Sequence, residues 1–173
     1  MYRVALVGHS NLPTFPGWGN VQVEVFKERG ARLTDLRDRL RFDGALFTTN
    51  WDCVVVFLGG NDIADCRNQD NLYNRHLDAF RKLHTNQLVV TDLEPRTYDR
   101  ENQARFGITT RTYNAIAKLV NKRLKRFVKR TANVELVHIP PGFMEQSGDG
   151  IHLSPTGQES LIHRYKSHIL SFL

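Results

Sequence analysis

Apolar residues in this chain fall in short continuous runs separated by stripes of helical period. Residues 3–8 are β-branched and apolar and end in Gly8, which predicts a central parallel strand covered on both faces. Residues 21–28, Val-Gln-Val-Glu-Val-Phe-Lys-Glu, alternate at first and predict a strand with one solvated face, at the sheet edge. Residues 53–58 are a second continuous run, 87–93 a fourth strand and 134–139 a fifth.

Between these runs the period changes to that of a helix. Leu33, Leu36 and Leu40 mark one amphipathic helix, and Leu72, His76, Leu77, Phe80 and Leu83 mark another. Residues 112–130 predict a third, with Ile116, Leu119, Val120, Phe127 and Val128 inward. Ser154-Pro155 is a helix start, a capping side chain followed by proline in the first turn. Leu161, Ile162, Tyr165, Ile169 and Phe172 then make the last helix amphipathic. Strands alternating with helices predict an α/β fold, an open and mostly parallel sheet with helices on both faces. No repeat, low-complexity tract or linker divides the 173 residues, so residues 1–173 read as one domain.

In such a sheet, sites form outside the carboxyl ends of the strands. Four features meet that condition. Gly8-His9-Ser10-Asn11 follows the first strand, and Gly30 the second. Gly59-Gly60-Asn61-Asp62 follows the third, and Asp149-Gly150-Ile151-His152 lies in the loop after the fifth. An aspartate three residues before a histidine can hold one ring nitrogen and leave the other as a base. Ser10 would then be the nucleophile, His152 the base and Asp149 its orienter. The Ser10 and Gly30 N–H groups and the Asn61 amide would receive the oxyanion. Each block alone is an ordinary turn. Their order and their placement at strand ends favour the catalytic reading.

These blocks resemble those of the SGNH, or GDSL-like, hydrolase superfamily, named for its Ser, Gly, Asn and His blocks. The resemblance spans nearly the whole chain, and Gly30 is its weakest block. It implies a flavodoxin-like three-layer sandwich with strand order 2-1-3-4-5. It also implies a metal-independent Ser-His-Asp esterase, and the reading of the chain is then a small serine esterase for short, acetyl-type acyl esters that needs no cofactor. His9 departs from the pattern, because the family usually has Asp before the nucleophile. The chain does not follow the Gly-x-Ser-x-Gly elbow of α/β-hydrolases, since Leu12 stands in place of the second glycine. The size, abrupt start and basic charge are also similar to the esterase domain of non-LTR retrotransposon first-open-reading-frame proteins, whose parents bind RNA and self-associate.

The formal net charge of +6 changes the picture at one element. Seven basic residues and no acidic one fall between Lys118 and Arg130, and without them the remainder is close to neutral. Lys118, Lys122, Lys125 and Lys129 form one stripe, with Arg123, Arg126 and Arg130 beside it. Two readings stay open: a solvated outer face, or a phosphate-binding face for nucleic acid or an anionic membrane surface. Without a base-reading motif, nucleic-acid binding would be nonspecific and salt-dependent, and the hydrolase site would then be vestigial.

Composition adds little more. Cys53 and Cys66 have no disulfide or metal spacing, which favours a reducing, intracellular compartment. The first residues are too strand-like for a signal peptide, and their abrupt start fits a domain of a longer protein. Loops 11–20, 94–111 and 140–148 are expected to shape the pocket, with Phe15, Trp18 and Phe143 as an apolar wall or a cap on the core. His76, His84 and His138 read as structural, with no metal assigned to them.

Overall fold

A computed structural model describes residues 1–145 and 148–173. Five parallel strands form one sheet: β1 (Tyr2–Gly8), β2 (Val21–Lys27), β3 (Trp51–Phe57), β4 (Thr85–Thr91) and β5 (Val134–Val137). Their order is β2-β1-β3-β4-β5, as the resemblance implies. The sheet starts at its middle and is extended first to one side and then to the other. The carboxyl ends of β1 and β3 therefore lie side by side where the order reverses.

The continuous apolar runs are explained by burial on both faces. Ala5, Val7, Val54, Val56, Leu88 and Val90 point into one core, which α1 (Leu33–Arg37), α3 (Gln69–Phe80) and α5 (Thr110–Arg130) complete. Their neighbours Val4, Leu6, Cys53, Val55, Phe57 and Val89 point into the other, closed by Leu161, Tyr165 and Ile169 of α6 (Pro155–Phe172). Each fully buried Val, Leu, Ile or Phe side chain among them contributes roughly 1.5–3 kcal/mol. α2 (Ala45–Thr48) is a single turn that buries Leu46 and Phe47. Burial pushes the Cys53 thiol up to about 12, which leaves it inert.

Several predicted boundaries move. The helix begun by Leu33 stops at Arg37, and Leu40 is 55% exposed. Positive φ angles at Arg39 and Arg41 break the helical path there. The connection 94–111 contains a short helix, α4 (Arg100–Phe106), which Asp99 caps and Gly107 ends in the left-handed conformation. The fourth strand begins earlier than expected and the fifth ends at Val137, before Pro140. On α5, Leu119 faces solvent, whereas Tyr113, Ala117, Val120 and Leu124 are buried. Phe15 and Trp18 pack on the second core beneath the Lys166 ammonium, and Phe143 packs there beside Arg164. All three cap the core. Residues 146 and 147 of the expected pocket loop 140–148 lie outside the described residues.

Candidate active site

Ser10 sits on the turn that leaves β1. Its Oγ lies 3.3 Å from His152 Nε2, although 142 residues separate the two in sequence. Asn11 closes that gap. Its side-chain amide donates to Ile151 O (2.9 Å) and accepts from Leu153 N–H (3.0 Å). The backbone on both sides of His152 is thus tied to the residue after Ser10. The loop is held elsewhere too: Glu145 N–H donates to His152 O and Ser154 N–H to Phe143 O, both at 2.9 Å. Gly150 has φ +70° and packs against the Thr97 carbonyl, so a side chain there would be strained as well as crowded.

Asp149 does two things at once. Its Oδ1 accepts the Ile151 and His152 N–H groups (2.9 and 3.0 Å), which closes the loop as an Asx-type turn. Its Oδ2 is hydrogen-bonded to His152 Nδ1. A carboxylate acceptor at Nδ1 places the ring proton there, and Nε2 is left as a bare acceptor facing Ser10 Oγ–H. Partial burial acts to raise the Asp149 carboxyl, but the two N–H donors and the ring outweigh it and hold it below the ordinary range. The pair is shallow: the side chains of His152 and Asp149 are 45% and 41% exposed.

Gly30 and Asn61 are brought to the same edge by direct stitches between their loops. Asn61 Nδ2 donates to Ala31 O (3.1 Å), and buried Asp62 accepts Leu33 N–H (2.9 Å) and pairs with Arg75 (3.1 Å). Gly30 adopts φ +74°, and no atom lies closer than 4.0 Å to where a Cβ would stand. Its glycine is therefore required by conformation rather than by crowding. Among the described residues, the Ser10 and Gly30 N–H groups have no hydrogen-bond acceptor.

A buried charged cluster lies under this edge, and pattern reading did not find it. Glu94 and Arg96 follow β4, with side chains 0% and 6% exposed, and bond each other through Glu94 Oε1 at 2.6 and 2.9 Å. Burial alone would raise the Glu94 carboxyl, yet Arg96 and His9 hold it down at about 2. His9 is fully buried, and its Nδ1 accepts Asn11 N–H (3.1 Å). The proton of the neutral ring is then on Nε2, 3.6 Å from Glu94 Oε1. The residue that departs from the family pattern therefore faces a carboxylate from the segment that follows β4. The only sequence signal was a pair of charges directly after a buried strand.

A groove of about 1170 Å³ lies beside this site rather than on it. Lys118, Lys122 and Lys125 form one wall, and Leu93, Ile139 and Met144 lie in its floor. Asp149 and Gly150 reach its rim, but Ser10, Asn61 and His152 do not line it. His138 also faces the groove, with Nδ1 bonded to buried Asp92 at 2.6 Å. The Asp149–His152–Ser10 line meets this groove only at Asp149. Among the described residues, no cluster of three or more metal-ligating side chains occurs.

A family model described as the GDSL-like Lipase/Acylhydrolase family matches residues 10–159. No curated protein sequence matches significantly. Among solved structures, the chain superposes on an aryl esterase of M. smegmatis with a TM-score of 0.74 at 14% identity, covering 100% of both chains. A GDSL-like lipase from Bacteroides thetaiotaomicron gives 0.69 at 16% identity, covering 99% of this chain and 89% of that one. A carbohydrate acetylesterase family member from Sinorhizobium meliloti gives 0.69 at 12% identity, covering 100% and 99%. At these identities the likenesses carry the fold.

Proposed function

The chain belongs to the GDSL-like lipase/acylhydrolase family and is a carboxylic ester hydrolase; from that premise we propose that it cleaves short acyl esters with Ser10 as nucleophile, His152 as base and Asp149 as its orienter. The observation that carries this reading is the unbroken line from Asp149 through both nitrogens of His152 to Ser10 Oγ.

Ser10 Oγ attacks the acyl carbon and its proton passes to His152 Nε2. The carbonyl oxygen gains the negative charge and meets the Ser10 and Gly30 N–H groups and Asn61 Nδ2–H. The intermediate collapses as His152 returns the proton to the departing alkoxide, and the acyl group remains on Ser10. Water then attacks that ester, again with its proton passing through His152, and a carboxylic acid leaves. Asp149 stays ionised and stabilises the imidazolium formed in each half. A Ser10–His152 distance of 3.3 Å is loose for proton transfer and suits a site that tightens around substrate. The exposure of His152 and the absence of Ser10 from the large groove favour a small acyl group over a long chain.

The test is hydrolysis of p-nitrophenyl acetate by the wild type and by Ser10→Ala. The variant is expected to lose roughly 10³-fold or more in kcat while keeping its fold by circular dichroism. Unchanged hydrolysis in folded Ser10→Ala would refute the assignment of the nucleophile. A wild type inactive on both the acetate and the butyrate would refute the substrate class.

A further inference from the structure

We infer that Arg96 is a positioning residue for hydrolysis: it fixes the direction of the Asn61 amide and so presents Nδ2–H to the oxyanion, an inference that rests on the oxyanion role proposed for Asn61.

A side-chain amide is nearly symmetric in shape, so its partners decide which end faces the substrate. Arg96 Nη2 donates to Asn61 Oδ1 at 3.1 Å. On the other side, Ala31 O accepts from Asn61 Nδ2 at 3.1 Å. Both contacts demand the same orientation. The flipped amide would set NH₂ against a guanidinium and oxygen against a carbonyl. In the observed orientation one N–H of Nδ2 is taken by Ala31, and the second has no partner among the described residues.

Arg96 can impose this only if it is itself immobile, and it is held at every point. Its Nε and Nη2 donate to Glu94 Oε1, and its Nη1 donates to the Tyr98 hydroxyl at 3.0 Å. The guanidinium lies 5.1 Å from the centre of the Tyr113 ring. Asn114 clamps the Arg96 backbone, accepting its N–H (3.1 Å) and donating to its carbonyl (2.7 Å). Packing is tight up to the turn that carries Asn61. A Cβ on Gly60 would collide with Glu94 Oε1 and stand 2.6 Å from Arg96 Nη2. The glycine before Asn61 is thus imposed by the charged pair beneath it.

Of the five guanidinium N–H donors, Glu94 takes two and Tyr98 one, and Asn61 Oδ1 takes a fourth. Here the planar fork also directs an N–H at Asn61, which a point-charge ammonium does not reproduce. The same guanidinium polarises the amide and strengthens its free N–H as a donor. His9, the residue preceding the nucleophile, packs against Glu94 and so connects the cluster to the Ser10 turn.

The test uses the full chain with p-nitrophenyl acetate as substrate and phenylboronic acid as a probe of tetrahedral oxyanion binding. The variants are Arg96→Lys, Asn61→Ala and the two combined. Arg96→Lys keeps a cation for Glu94. It is expected to lower kcat about tenfold to a hundredfold with KM nearly unchanged, and to weaken boronate inhibition by a similar factor. In the Asn61→Ala background it is expected to add almost nothing, because its effect passes through that amide. Additive losses, or an unchanged kcat in Arg96→Lys, would overturn the inference. Full activity in Asn61→Ala alongside a dead Ser10→Ala would instead overturn the oxyanion role on which it rests. Should Arg96→Lys fail to fold, Glu94→Gln combined with Arg96→Gln removes both charges at similar volume and is read in the same way.

Discussion

His76 shows at the scale of one residue how burial alone sets a protonation state. It is 1% exposed on α3, and its Nδ1–H donates to Leu72 O at 2.9 Å. Among the described residues its Nε2 has no partner, and it lies against Gly59, so the neutral ring is the only affordable form. Burial lowers its pKa from 6.5 to about 4, partly offset by the Leu72 carbonyl. The unfolded chain takes up that proton near pH 6.5 and the native ring resists it. The unfolded state therefore binds more protons across this window, and stability falls as pH falls, by up to about 1.4 kcal/mol per pH unit. Urea unfolding between pH 7 and 4 checks this: His76→Leu is expected to flatten the slope by about one proton. Equal slopes in both proteins would refute it. The periodicity placed His76 on the inner face of a helix, but the orphaned nitrogen depended on Gly59, whose φ of +124° brings the backbone against the ring.

α5 shows at the scale of an element why pattern reading was only half complete. Its exposed lysines were legible as a charge run, and the inward stripe was legible as period 3.6. Its two asparagines were not, because a polar residue among polar residues carries no periodic signal. Asn121 accepts Leu93 N–H (2.8 Å) and donates to Leu93 O (3.0 Å), and Asn114 does the same for Arg96. Tyr113 adds a bond to Glu94 O at 2.9 Å. The helix therefore replaces the sheet partners that the chain loses as it leaves β4, and it fixes the segment that carries Glu94 and Arg96. Asn121→Ala leaves both Leu93 backbone groups unpaired, for an expected loss of about 2–3 kcal/mol. Leu119→Ala, on the exposed face, is expected to cost under about 0.5 kcal/mol. Urea denaturation of the two variants checks the ranking, and comparable losses would show that the asparagine clamp is not structural. Leu119 itself was misplaced because it sits at the margin of the stripe, where one position of helical rotation decides between core and solvent.

At the scale of the whole molecule, the question is how opposite ends of one chain keep a 3.3 Å contact. The strand order was legible through the resemblance, and the order of the blocks placed Ser10 and His152 at one sheet edge. A shared edge fixes positions only to several ångströms, whereas proton transfer requires far better. The remaining precision comes from Asn11, which the sequence offered merely as the neighbour of Ser10. It is 5% exposed, and it bonds the backbone on both sides of His152, so the N-terminal turn and the C-terminal loop move as one body. Asn11→Ala removes both bonds, and Asn11→Asp keeps the acceptor for Leu153 N–H but turns a carboxylate oxygen toward Ile151 O. Each is expected to cost about 2–4 kcal/mol in urea unfolding. Each is also expected to lower kcat for p-nitrophenyl acetate by about tenfold to a hundredfold with little change in KM, since the base drifts while the acyl site stays. A folded Asn11→Ala protein with wild-type kcat would mean that Asp149, Thr97 and the Met144–Leu153 bridge suffice to hold His152, and that the two ends need no direct tie.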